Sequence, residues 1–138
     1  MTEFLRSASV VWNGDSRRGS GTVSTGSGAL TDVPYTYLTR FGENPGTNPE
    51  ELLAAAHAAC FSMALASTLR RAGYAPERIE TRAVCVMERD ETTGVAITTM
   101  RLRTRALVPG LDAAEFARLA DDAKVNCPVS KVLAPGLA

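Results

Sequence analysis

The chain reads as an α+β protein in which antiparallel β-sheets surround one long central helix. Three observations predict this class. The first 45 residues are β-rich and broken by glycines; an apolar segment from residue 49 to residue 72 carries helix-capping signals at both ends; and two alternating runs flank the short turn "ETTG". With 138 residues, 45% of them hydrophobic, the chain is expected to form a single domain over 1–138 with a real core.

In the β-rich region 1–45, "ASVVW" reads as a strand and Asn13-Gly14 as a hairpin signal. "GTVSTGSGAL" and "YTYLTRF" read as two further strands, separated by glycines and Pro34. The central helix over 49–72 has Asn48 as N-cap, Pro49 at its first position and Glu51 completing an N-x-x-E box. Gly73, just after Arg70 and Arg71, marks its end. Such a helix is about 36 Å long, and so little polar face requires cover on several sides.

A hairpin over 78–108 follows. In its second strand Met100, Leu102, Thr104, Ala106 and Val108 alternate with Arg101, Arg103 and Arg105, so one face is apolar and the other solvated. The C-terminal helices span 112–133. Asp112 and Glu115 cap the first, with Phe116, Leu119, Ala120 and Ala123 on one stripe. "NCPVSKVL" reads as a short helix with Pro128 at its first position and Cys127 just before it.

Lys plus Arg equals Asp plus Glu at 15 each, which argues against nucleic acid or an anionic membrane as a partner. The segment Leu52 to Thr68 has about 17 residues, near the lower limit for a membrane span, and a buried central helix is favoured. "MTEFLRSASV" has no apolar signal-peptide core, so a cytoplasmic location is expected. Three cysteines without C-x-x-C and one histidine argue against a disulfide framework and a zinc site. No cofactor or metal is expected.

The stretch "AAAHAACFSMALAS" places His57 and Cys60 three residues apart on one helical face. Burial alone makes a thiol inert, so reactivity at Cys60 requires a cation or donor, for which His57 and Arg40 of "YTYLTRF" compete. A packed structural Cys60 is the alternative. Cys127, at a helix N-terminus, has the setting of a thiol with a lowered pKa.

Together "TRF", "GTNPEELLAAAHAACFSMAL" and "CPVSKVL" resemble the OsmC/Ohr family of thiol-dependent hydroperoxide reductases, and "GTVSTGSG" with "TRF" is more similar to its OsmC branch. The resemblance runs from about Ser9 to Leu133. It implies an OsmC-like fold and reduction of organic hydroperoxides to alcohols, with hydrogen peroxide a weaker substrate. The peroxidatic cysteine matches Cys60, the resolving cysteine Cys127, the active-site glutamate Glu50 and the arginine Arg40. The resemblance further implies a Cys60 sulfenic acid and then a Cys60–Cys127 disulfide. A dithiol on a lipoylated protein would reopen it, with no bound cofactor. Cys85 matches no motif position. Apolar walls near Phe61 and Met63 are expected to favour organic peroxides. Family members usually continue past the "CPVS" helix with a final strand, whereas "APGLA" stops at Ala138. Either that edge strand is absent or the sequence stops short of it.

Glu50 and Cys60 lie ten residues apart on one helix, about 15 Å along its axis. Two such helices packed antiparallel about a two-fold axis would bring Glu50 of one copy toward Cys60 of the other. An intertwined homodimer is therefore expected, in agreement with the family. A non-enzymatic redox-sensing or ligand-binding dimer is the alternative function.

Overall fold

A computed structural model describes residues 1–137. The elements run β1 (Ala8–Asn13), β2 (Ser20–Thr25), β3 (Val33–Tyr35), α1 (Tyr37–Phe41), α2 (Pro49–Arg71), β4 (Arg78–Asp90), β5 (Gly94–Leu107), α3 (Ala113–Asn126) and α4 (Pro128–Leu133), then a single 3-10 turn, Ala134–Gly136. The α+β class and the antiparallel sheets are as the sequence predicts. The chain forms two compact units that divide inside α2, one over 1–52 and one from Leu53 onward.

The first unit holds an antiparallel sheet in the order β1-β2-β3. Its register places Gly21 opposite both Trp12 and Tyr35. Those two rings close over Gly21 with centroids 5.3 Å apart. A Cβ at Gly21 would come within 2.5 Å of the Tyr35 ring, so only glycine fits. At the β1–β2 turn Gly14 adopts φ +94°, and the Asp15 carboxylate accepts hydrogen bonds from the N–H groups of Arg17 and Arg18, both at 2.8 Å. The turn thus uses glycine for the left-handed region and aspartate for the local N–H groups.

"YTYLTRF" is not a strand. Only Val33–Tyr35 pairs, and Tyr37–Phe41 is a five-residue helix. Tyr, Thr and Phe favour strands on average, but Thr36 and Thr39 form a reciprocal capping box that turns the chain. The Thr39 N–H donates to Thr36 Oγ1 at 3.3 Å, and the Thr36 N–H donates to Thr39 Oγ1 at 2.9 Å. Arg40 therefore sits in the last turn of α1 and not on a strand.

The start of α2 is as expected. Asn48 Oδ1 accepts from the Glu51 N–H at 2.8 Å, while Asn48 Nδ2 donates to the Thr39 carbonyl at 3.1 Å. One side chain therefore caps α2 and ties it to α1. At the other end Gly73 takes φ +90°, and the Gly73 and Tyr74 N–H groups donate to the Arg70 and Leu69 carbonyls. This is the glycine-dependent helix stop that the sequence indicates.

In the second unit, Phe61, Leu65 and Leu69 of α2 form the core with Leu119 and Ala123 of α3 and with Cys127. Leu65, Leu69, Ala123 and Cys127 are fully buried. The β4–β5 hairpin joins α2 through polar contacts too. Ser62 Oγ donates to Thr81 Oγ1 at 2.7 Å, and Thr81 Oγ1 lies 3.1 Å from Thr104 Oγ1 across the strands. The alternation along β5 holds, with Met100, Leu102, Thr104 and Ala106 half-buried and Arg101, Arg103 and Arg105 exposed. Arg105 pairs with Glu80 of β4.

The helix α2 is long and apolar enough to cross a membrane by length and composition. Its Leu65 and Leu69 instead sit in the core just described. Ala55, Ala59 and Met63, spaced four apart, form an exposed apolar stripe along it, with Met63 77% exposed.

Asn48→Ala should remove both the cap and the tie to α1, at a cost of about 1–2 kcal/mol. Asn48→Asp retains the cap oxygen and should lose less. Urea unfolding of the two variants measures the difference.

Candidate active site

The four site residues expected from the sequence fall into two pairs, one in each unit. In the first, the Arg40 guanidinium meets the Glu50 carboxylate in a two-pronged ion pair. Nη2 donates to Oε1 at 2.7 Å, and Nε donates to Oε1 and Oε2 at 3.0 and 3.2 Å. Glu50 lies at the first turn of α2 and is only 7% exposed, whereas the Arg40 side chain is 38% exposed. The Arg40 guanidinium also lies over the Phe41 ring, 4.9 Å from its centroid. A planar fork gripped at one edge and stacked on a ring has a fixed orientation.

The second pair is Cys60 and Cys127. Cys60 is half-buried in the middle of α2. Cys127 is fully buried where α3 ends and α4 begins. Its N–H donates to the Ala123 carbonyl at 2.8 Å, closing α3. Its own carbonyl accepts from the Lys131 N–H at 3.0 Å, opening α4. The residue is thus anchored by both helices, and its thiol lies near enough to that of Cys60 for each to affect the other's ionisation.

The environments of the two sulfurs differ. Burial pushes the Cys60 thiol up, the Val129 N–H draws it partly back, and the neighbouring Cys127 pushes it up again. Burial also opposes ionisation of Cys127. It is outweighed there by the Ser130 hydroxyl, the Ser130 and Val129 N–H groups and the Cys60 thiol, which together bring Cys127 below the ordinary thiol value. No α4 N–H completes a capping hydrogen bond to the sulfur, yet those of Val129 and Ser130 lie near enough to favour the thiolate. Two thiols in contact do not both ionise at once. Of the two, Cys127 has the surroundings that favour a negative charge.

His57 meets Ser130 of α4. Its Nε2 lies 2.8 Å from Ser130 Oγ, and its buried Nδ1 has no hydrogen-bond partner. His57 is 6% exposed, and burial alone draws its imidazole below the ordinary value. Cys85 lies elsewhere, half-buried in β4 opposite Met100.

The Ser130 contact was missed from sequence, although a signal exists. Ser130 is the third residue after the N-cap Cys127, the position from which a side chain reaches back in a capping box. Phe61 is buried in the core, while Met63 is exposed on the apolar stripe. Phe61, His57, Met100, Leu102, Ser130 and Leu133 line part of a cavity of about 920 Å³ in the second unit.

A family model for OsmC-like proteins matches residues 42–138, well over half of the chain. The chain belongs to the OsmC family. It is 51% identical over 122 residues to the peroxiredoxin OsmC of Escherichia coli strain K12, covering 88% of this chain and 85% of that one. Among solved structures it is similar to a putative organic hydroperoxide resistance protein from Vibrio cholerae with captopril in one of its active sites. The TM-score is 0.78 at 26% identity, covering 99% of this chain and 89% of that chain. It is also similar to the organic hydroperoxide resistance protein OhrB of Bacillus subtilis. That TM-score is 0.66 at 25% identity, covering 95% and 93%. The OsmC/Ohr fold expected from the motifs is therefore the fold of this chain.

Since burial depresses the His57 imidazole in the folded state, the unfolded chain binds its proton first. The stability associated with neutral His57 is complete above about pH 6.5 and is lost as pH falls below it. Urea midpoints at about pH 7.5 and about pH 5.5 should show this loss, and His57→Gln should flatten it.

Proposed function

We propose that this OsmC-family protein is a peroxidase that reduces organic hydroperoxides to alcohols, and hydrogen peroxide more weakly. Cys60 is the attacking thiol and Cys127 the resolving one. The observation that carries the reading is the meeting of these two thiols, 67 residues apart in sequence, at a helix junction that favours an anion. The names of the relatives agree with it.

The Cys60 thiolate attacks the terminal peroxide oxygen. An S–O bond forms, the O–O bond breaks, and the alkoxide takes up a proton to leave as alcohol. The Cys127 sulfur then attacks the Cys60 sulfenic acid. The S–S bond forms, the S–O bond breaks, and hydroxide takes up a proton to leave as water. A dithiol, of the kind carried by lipoylated proteins, reopens the disulfide by two exchange steps and is itself oxidised to a disulfide.

The surroundings of the thiol pair favour charge on Cys127 over Cys60, so activating Cys60 calls for a cation. Arg40, held by Glu50, is that cation in this proposal. Arg40 and Glu50 come to Cys60 in an intertwined homodimer that covers the Ala55, Ala59 and Met63 stripe of α2. The exposure of this stripe on an otherwise apolar helix supports the dimer.

Peroxide consumption with a dithiol reductant tests the reading. Cys60→Ser should abolish turnover, because a serine hydroxyl is not ionised at neutral pH. Cys127→Ser should react once and then pass to sulfinic and sulfonic acid, which intact-mass measurement reads as added oxygens. Wild-type turnover by Cys60→Ser would overturn the assignment.

Arg40→Lys keeps the charge and loses the fork. It should lower kcat/KM on the order of tenfold, or about 1.4 kcal/mol. Steady-state kinetics with an alkyl hydroperoxide would show this.

A further inference from the structure

The disulfide-forming step requires a proton to leave the Cys127 thiol, which is fully buried, and a proton to reach the hydroxide departing from Cys60. The proposed chemistry gives neither His57 nor Ser130 a part in this. His57 is the chain's one histidine, and it is buried with its Nε2 2.8 Å from Ser130 Oγ, across 73 residues of sequence. Ser130 stands three residues after the N-cap Cys127 in α4, at the position from which a side chain reaches back toward the cap, and its hydroxyl is near enough to favour the Cys127 thiolate. Cysteine, serine and histidine thus form a chain of three groups within one unit, ending on an imidazole nitrogen.

We propose that Ser130 and His57 are a two-step proton relay for Cys127 during disulfide formation. The proposal rests on the peroxidase reading above, which supplies the sulfenic acid.

The relay balances without an added reactant. Before the step, the Cys127 S–H donates to Ser130 Oγ, whose O–H donates to His57 Nε2. As the Cys127 sulfur attacks Cys60, its proton passes to Ser130 Oγ and the Ser130 proton passes to His57 Nε2, giving a thiolate and an imidazolium. The S–S bond forms, the S–O bond of the sulfenic acid breaks, and hydroxide departs. The imidazolium returns one proton to the hydroxide through the same serine, leaving water and neutral His57. In the intermediate state Nε2–H donates to Ser130 Oγ and the Ser130 hydroxyl donates to the thiolate, so the two states are the two orientations of one hydrogen-bond chain.

The surroundings of His57 suit a transient carrier. Burial is what holds the imidazole neutral, so it accepts a proton briefly and gives it up readily. The charged groups that line the cavity beside it are Asp121 and Lys124 from α3 and Lys131 from α4, all exposed. β5 lines the same cavity with Thr99, Met100, Leu102 and Thr104, none of which titrates. Ser130 Oγ is the hydrogen-bond partner of Nε2, and the Asp121 carboxylate makes no hydrogen bond to the ring.

His57 acts through Ser130 and is a positioning residue, so its test needs readouts that a packing role would not move. The first uses no peroxide. With Cys60→Ser and Cys85→Ser leaving Cys127 as the one thiol, thiolate ultraviolet absorbance follows its titration. His57→Gln should raise the Cys127 midpoint, and it should add nothing once Ser130→Ala is present. The second follows the decay of the Cys60 sulfenic acid by quenched intact-mass measurement after one equivalent of alkyl hydroperoxide. At about pH 6, His57→Gln and Ser130→Ala should each slow this decay by roughly tenfold and converge on wild type above the Cys127 midpoint. Ser130→Thr, which keeps a hydroxyl, should restore the rate. Decay in His57→Gln within about twofold of wild type from about pH 6 to 8, or a His57 effect that persists in full in Ser130→Ala, would overturn the relay. If His57→Gln does not fold, the contrast between Ser130→Ala and Ser130→Thr decides. If peroxide leaves Cys60 unoxidised, the peroxidase reading fails, and the titration arm still judges the relay.

Discussion

The packing of α2 against α3 is the constraint on which the second unit depends. Leu65 and Leu69 from one helix and Leu119 and Ala123 from the other form a dry seam, and Cys127 continues it at the point where α3 stops. Burying a leucine in such a seam contributes about 1.5–3 kcal/mol. The seam fixes where α3 ends relative to the middle of α2, and therefore where the Cys127 sulfur meets Cys60. A thiol in mid-helix has little help from the helix dipole. What gives the pair its asymmetry is the second sulfur, held at the start of α4 beside Ser130 and the N–H groups of the first turn.

This asymmetry has a chemical consequence. In our proposal the resolving Cys127 has surroundings that favour its thiolate, whereas those of the attacking Cys60 oppose it. Activation of Cys60 then depends on an outside cation, which is the part we assign to Arg40. The ion pair with Glu50 and the stacking on Phe41 give that guanidinium a fixed aim. A catalytic site divided in this way is silent until both halves are assembled, and dimer formation through the exposed α2 stripe supplies the assembly in our proposal.

Much of this fold was legible in the sequence because the signals are local. Asn48, Pro49 and Gly73 delimit α2 by chemistry confined to a few residues, and the alternation in β5 follows from the pleat alone. The segment "YTYLTRF" misled for a related reason. Its average composition favours a strand, while a single pair of threonines, 36 and 39, decides for a helix. The motifs at Cys60 and Cys127 were recognisable by resemblance. The contact between His57 and Ser130 was not, because it spans 73 residues and exists only once α2 and α4 are placed by the core. His57 could be placed on the face of Cys60, but helical spacing cannot show that its nitrogen turns to a serine from another helix.

The central claim is that Cys60 and Cys127 form a redox pair. Peptide mapping of the protein after one equivalent of alkyl hydroperoxide, under denaturing and alkylating conditions, tests it most directly. The account predicts one linked species joining the peptide of Cys60 to that of Cys127 within a single chain, with Cys85 recovered alkylated. A disulfide that includes Cys85, or complete alkylation of Cys60 and Cys127 after the peroxide has been consumed, would contradict it.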